Sequence, residues 1–133
     1  MRYAVLDLPL ESIHNAAFRG AEMVRCAGDQ GKYWEMRDHL FSNPQAIAQP
    51  TSHAAAVQLD AKRFDACVAS GKFDADIRKD MEQAEAAGVQ GTPSFFLAVP
   101  DPATGRLKAV RFITGAQPFA NFKAMIDAAL GGQ

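Results

Sequence analysis

The stretch Gly88-Val89-Gln90-Gly91-Thr92-Pro93-Ser94-Phe95-Phe96-Leu97-Ala98-Val99 decides the fold. A helical pattern ends in glycine and runs into Gly-Thr-Pro, and an unbroken apolar run follows at once. Pro93 has no backbone donor and a fixed φ, so it belongs at the first position of a strand or in a turn. The ring of Pro93 pushes Thr92 towards extended backbone. An X-Pro bond at a strand entrance is also where a cis peptide is admissible.

Working outward from this stretch, residues 95–99 read as a strand. The turn signal Pro100-Asp101-Pro102-Ala103-Thr104-Gly105 returns the chain, and residues 108–113 make an antiparallel partner. Gly115 and Pro118 punctuate. A last helix follows over about 118–130, with Phe119, Phe122, Ile126, Ala129 and Leu130 as its apolar stripe. Upstream lies an amphipathic helix, about 73–87, with Phe73, Ile77, Met81 and Ala84 on one side. Its Asp74, Asp76, Lys79, Asp80 and Glu82 read as a solvated face. Short helices precede it over about 53–58 and 61–70, with Asp60 as a cap between them. Residues 43–52, with Pro44, Pro50 and Ser52, are the most loop-like. A helix over about 32–41 carries Tyr33, Trp34, Leu40 and Phe41, which read as core. Another, about 13–27, has Ser12 as candidate N-cap and Ala17, Ala21 and Val24 on one face. The first apolar run, Tyr3-Ala4-Val5-Leu6, reads as a buried strand closed by Asp7 and Pro9.

The 133 residues are one domain's worth, with 48% hydrophobic and 22% charged residues and a net charge of −1. That balance gives no electrostatic case for nucleic acid or an anionic membrane. No stretch of 18 apolar residues supports a membrane span, and residues 1–10 do not have the pattern of a signal peptide.

Three stretches together resemble the DsbA-like thiol–disulfide oxidoreductases of the thioredoxin fold. They are Gly-Val-x-Gly-Thr-Pro-Ser-Phe-Phe at 88–96, the run from Leu8-Pro9-Leu10 through Cys26-Ala27 and Gln30-Gly31-Lys32-Tyr33-Trp34-Glu35-Met36 to Leu40-Phe41, and Phe64-Asp65-Ala66-Cys67 through Lys72. The resemblance implies an α/β, thioredoxin-like fold with a helical insertion. Its parts are a single incomplete domain over 1–133, with the insertion at 12–87 and the cis-proline strand, hairpin and last helix at 88–133. The family's Cys-x-x-Cys, with its first strand and active-site helix, does not occur in this sequence, so the expectation is no catalytic residue in the chain. In such a sheet the first strand lies between the strands at 3–6 and 95–99. Without it both keep an open edge, and open edges template association. The expectation is therefore a fragment of a longer protein, or a homo-oligomer or strand-swapped assembly.

The same resemblance assigns substrate contact to Gly91, Thr92 and Pro93, whose backbone would pair with an extended, unfolded protein substrate by strand addition. It also places Cys26 and Cys67, 41 positions apart, as a structural disulfide; from the residues alone, two buried free thiols are the other reading. His14, His39 and His53 match no metal-ligand spacing, and neither a metal nor a cofactor is expected. Asp7 reads as a surface carboxylate at a strand end. By resemblance the compartment is periplasmic or extracellular. Two other readings compete: a non-catalytic thioredoxin-like module that binds peptides or self-associates, and an enzyme similar to the kappa-class glutathione transferases.

Overall fold

The computed structural model describes residues 1–48 and 53–131. Pro50 and Ser52, singled out above as loop residues, lie outside the described residues. The chain forms two compact units, 1–88 and 89–133.

The first unit is helical. Residues 1–10 run without regular structure, and a series of turns over 11–16 leads into α1 (Ala17–Gly28). The strand read at 3–6 is therefore absent: the ladder of the described residues is confined to the second unit. An apolar tetrapeptide becomes a strand only where a neighbour takes its hydrogen bonds, and among the described residues this one has no strand partner. Nor does Ser12 cap α1. The helix begins behind Ala16, without a side-chain cap, and Leu10 O instead accepts the backbone N–H groups of Ile13 and His14.

Between α1 and α2 (Tyr33–Ser42), Gly31 adopts φ +74°, and Lys32 N–H closes back onto Ala27 O at 2.9 Å. A side chain at that φ would be strained, so glycine sets this tight reversal. Two 3₁₀ turns follow, Pro44–Ala46 and Ala55–Val57. Asp60 then caps α3 (Ala61–Ala69) by accepting from Arg63 N–H at 3.0 Å, and α4 (Asp74–Ala86) carries Asp74 and Asp76 in its first turn, where the helix dipole favours them. The buried face of α1 is Gly20, Met23, Val24, Cys26 and Ala27. Met23, Val24, Cys26 and Ala27 form one core with Met36, Leu40, Ala54, Val57 and Phe64. Met36 and Leu40 face inward on α2, which turns Trp34 and Phe41 out: they are 46% and 74% exposed. The core assignment of those two aromatics is corrected accordingly. One stripe of a ten-residue helix can be buried, and the slimmer residues took it.

The second unit is a hairpin and a helix. Strand β1 (Ser94–Pro100) pairs antiparallel with β2 (Leu107–Thr114), from Ser94↔Thr114 to Pro100↔Leu107, with an irregularity between Leu97 and Ala98. The extra residue is Val110, because Leu97 faces Arg111 and Ala98 faces Ala109. Asp101 organises the turn, its carboxylate accepting from Ala103 N–H at 2.8 Å and Thr104 N–H at 2.9 Å. Phe122 of α5 (Phe119–Gly131) meets Phe95 edge to face at 4.9 Å, and Phe96 stacks on Phe112 at 4.6 Å across the strands. None of the described residues of this unit is buried.

Candidate functional site

The residues of interest fall into two places. In the second unit, Gly91, Thr92 and Pro93 form the approach to β1. The Thr92–Pro93 peptide is cis. Ser94 Oγ donates to Gly91 O at 2.7 Å, and Gly115 N–H donates to Pro93 O at 2.8 Å. The carbonyls on either side of Thr92 are thus engaged, while Thr92 is exposed and its own N–H and C=O have no partner among the described residues. Proline cannot donate, so Thr92 is the first residue before the strand with both backbone groups free. Among the described residues the sheet has two strands, and the outer edge of β1 continues from Thr92 without a strand partner. That arrangement can add an extended chain as a further strand.

In the first unit, Cys26 of α1 and Cys67 of α3 are joined by a disulfide with Cα atoms 5.9 Å apart. Cys26 is 1% exposed and Cys67 partly buried. An attacking thiolate needs an accessible sulfur and a leaving thiolate that can be solvated. The burial of Cys26 denies the second requirement, so the bond suits a staple between helices rather than a redox centre.

The same unit holds an ion-pair network that sequence reading missed. Arg25 Nε donates to Asp7 at 2.6 Å and Nη2 to Asp80 at 2.5 Å, with Asp76 at 4.0 Å from Nη1. Asp80 also accepts from the backbone N–H of Asp7 at 3.0 Å. Asp7 is thus not a surface carboxylate at a strand end, nor Asp80 part of a merely solvated face. Burial pushes the Asp7 carboxyl up from its ordinary range, against the pull of Arg25. The contacts span 18 and 55 positions, and no local pattern announces them. Beside Arg25 an open cleft of about 430 Å³ is walled by Tyr33, Trp34 and Phe73.

Two further clusters were equally invisible from spacing. Glu22 of α1 faces Asp74 of α4; burial first and then this neighbour raise the Glu22 carboxyl to about 7, and buried Asp74 Oδ1 has no hydrogen-bond donor among the described residues. His39 and His53 approach to 3.0 Å. Among the described residues no three of His, Cys, Asp and Glu are grouped so as to hold a metal ion. No helix of the described residues is long and apolar enough to cross a membrane.

Comparison with known proteins supplies a family. Residues 1–100 match the family model described as thioredoxin. The chain is 35% identical over 99 residues to Na(+)/H(+) antiporter NhaA 1 of Salinispora arenicola and 33% identical to NhaA 3 of Salinispora tropica, in each case over 73% of this chain and 15% of the relative. A similar protein in Herminiimonas arsenicoxydans, also named Na(+)/H(+) antiporter NhaA, is 31% identical over 73% of this chain and 16% of its own. The chain therefore spans about one sixth of the length of these curated relatives. No solved structure matches it.

Proposed function

The chain belongs to the thioredoxin family, and from that premise we propose that it is the substrate-holding, major part of a DsbA-like thiol–disulfide oxidoreductase. The observation that carries the reading is the exposed Thr92 backbone, without a partner among the described residues, at the mouth of a strand with an open edge. In that reading an extended protein segment pairs with Thr92 and continues along β1. A substrate cysteine is thereby held where a dithiol supplied by a further segment, the family's first strand and active-site helix, can exchange with it. A substrate thiolate attacks one sulfur of that Cys-x-x-Cys disulfide, forming a mixed disulfide and releasing the other sulfur as thiolate. A second substrate thiolate then displaces the enzyme sulfur, leaving substrate oxidised and enzyme reduced. Residues 12–87 are the helical insertion of one incomplete domain, and Cys26–Cys67 is its structural staple. The staple also favours an oxidising compartment, periplasmic or extracellular.

One observation favours a second reading, a non-catalytic binding or self-associating module: the only two cysteines of this chain are already bonded to each other. Its similarity to a small share of each of the proteins named as antiporters is compatible with that reading.

Both readings are tested on the full 133-residue chain. Adding an extended peptide with one cysteine should shift the amide resonances of Gly91, Thr92 and Ser94, and an insulin-reduction assay should show no activity from this chain alone. The enzyme reading further expects that protein isolated from its native source reduces insulin. No shift at residues 91–94 sinks both readings. A shift with an inactive native protein leaves the binding module.

A further inference from the structure

His39 and His53 are 14 positions apart and come from different elements, α2 and the segment leading into the second 3₁₀ turn. His39 Nε2 lies 3.0 Å from His53 Nδ1, and His53 Nε2 lies 3.1 Å from Ala46 O, at the end of the first 3₁₀ turn. His53 is 5% exposed, and among the described residues it is the one buried polar side chain. His39 is half-buried.

Proton accounting fixes the chain's direction. A carbonyl oxygen can only accept, so His53 Nε2 carries a hydrogen and donates to Ala46. In the neutral His53 ring Nδ1 is then bare, and it accepts from His39 Nε2–H. A proton added to the pair therefore goes to His39 Nδ1, which faces away from the contact, and the His39–His53 bond becomes charge-assisted and stronger. A second proton has one place left, His53 Nδ1, where the His39 N–H already points. Two N–H groups would then oppose each other at 3.0 Å between two positive rings. The surroundings add to the resistance: burial, His39 on α2 and Arg19 on α1 all disfavour a charge on His53, and only the Ala46 carbonyl favours one.

We propose that the His39–His53–Ala46 chain is an acid-opened latch, closed with no proton or one proton added to the two rings and opened by the second, which frees the turn at Pro44–Ala46 from α2. The device belongs to the helical unit and does not depend on the assignment of Thr92. Its failure and the failure of the oxidoreductase reading are therefore separately visible.

The test is a pH titration of the full chain labelled with ¹⁵N-histidine, reading the tautomer and charge of each ring by long-range ¹H–¹⁵N correlation from about pH 8 to about pH 4. His53 should hold its neutral Nε2–H form through the first protonation of the pair. At lower pH, His53 should become charged, and in the same step the amide of Ala46, which donates to Asn43 O at 2.9 Å, should exchange roughly tenfold faster or more. Independent titration of the two rings overturns the proposal, as does charging of His53 without faster exchange at Ala46. His39→Gln keeps a donor to His53 Nδ1 at neutral pH, and once His53 is charged its amide can turn so that Oε1 accepts from that nitrogen. The glutamine chain should therefore stay closed when His53 becomes charged. A His39→Gln chain in which charging of His53 sped exchange at Ala46 as much as in the parent chain would also overturn the latch.

Discussion

The helical unit and the hairpin unit of this chain differ in what holds them. Residues 1–88 enclose Met23, Cys26, Met36 and Ile77 at 2% exposure or less, cross-link α1 to α3, and tie the N-terminal segment to α1 and α4 through Arg25. The described residues of 89–131 enclose nothing, and leave Phe96 and Phe112 nearly half exposed on the sheet. Two strands and a helix rarely hold themselves together without a covered apolar face. The described residues of the first unit enclose a core, whereas those of the second leave both strands and helix partly exposed. That difference fits the roles proposed for them, since the residues proposed to meet substrate sit in the more exposed unit.

The largest effect that could break this contrast comes from the disulfide. Replacing both Cys26 and Cys67 by alanine releases a crosslink over 41 positions, which loop-closure entropy values on the order of 4 kcal/mol. For a unit of this size that lowers the melting midpoint by about 15–30 °C. Trp34, Tyr3 and Tyr33 are the only tryptophan and tyrosines, and all lie in the helical unit, so intrinsic fluorescence follows that unit alone. Amide exchange in β1 and β2 should stay as it was. Equal acceleration there would mean the two units unfold as one body, and the contrast would fall.

A matched pair of substitutions sharpens it further. Met36→Ala empties a site at 0% exposure and should cost about 2–4 kcal/mol in urea denaturation followed by fluorescence. Phe112→Ala removes a larger side chain that is 45% exposed, and should cost less than about 1 kcal/mol by any probe of the hairpin. A cost for Phe112→Ala matching that of Met36→Ala would show that the sheet face is covered in solution, as by a second copy of the chain.

The same division explains what could be read from the sequence. The Gly-Thr-Pro entrance, the hairpin and the five helices are all written in local signals, namely a proline before an apolar run, a Pro/Asp/Gly turn, and glycines at helix ends. Their bounds fell within a few residues, apart from the start of α1, where Ser12 offered a cap the backbone did not use. Residues 3–6 were misread because strand propensity was taken without a pairing partner. The Arg25 network, the His39–His53 contact and the Glu22–Asp74 pair were illegible for one shared reason. Each is made by residues on different elements, and periodicity within one helix says which face is polar, not which distant charge it meets. Trp34 and Phe41 show the converse, since hydrophobicity marked them for the core while the stripe of α2 buried Met36 and Leu40.

The smallest expected effect is a pH dependence that should carry opposite signs in the two units. Glu22 in the folded helical unit keeps its proton up to about 7, against 4.5 for the free side chain, chiefly because it is partly buried and then because Asp74 faces it. Between those values the folded state binds more protons than the unfolded one, so stability is full below about 4.5 and falls as pH rises towards 7. Asp7, raised by burial, adds in the same direction. In the hairpin unit Asp101 is shifted the other way, held below its ordinary value of 3.8 by the N–H groups of Thr104 and Ala103. Its contribution is present above that value and lost as pH falls through the lower folded one. Lowering the pH from about 7 to about 4.5 should therefore favour the helical unit through Glu22, with the lowered His53 working against it, and the turn at 101–106 should loosen only below 3.8. Fluorescence-detected melting should show the first, and exchange of the Ala103 and Thr104 amides the second. Glu22→Gln should flatten the fluorescence trend and leave the turn's response intact. A trend that survived Glu22→Gln unchanged would assign it to Asp7, since the lowered His53 acts with the opposite sign, and the carboxyl pair would lose its role.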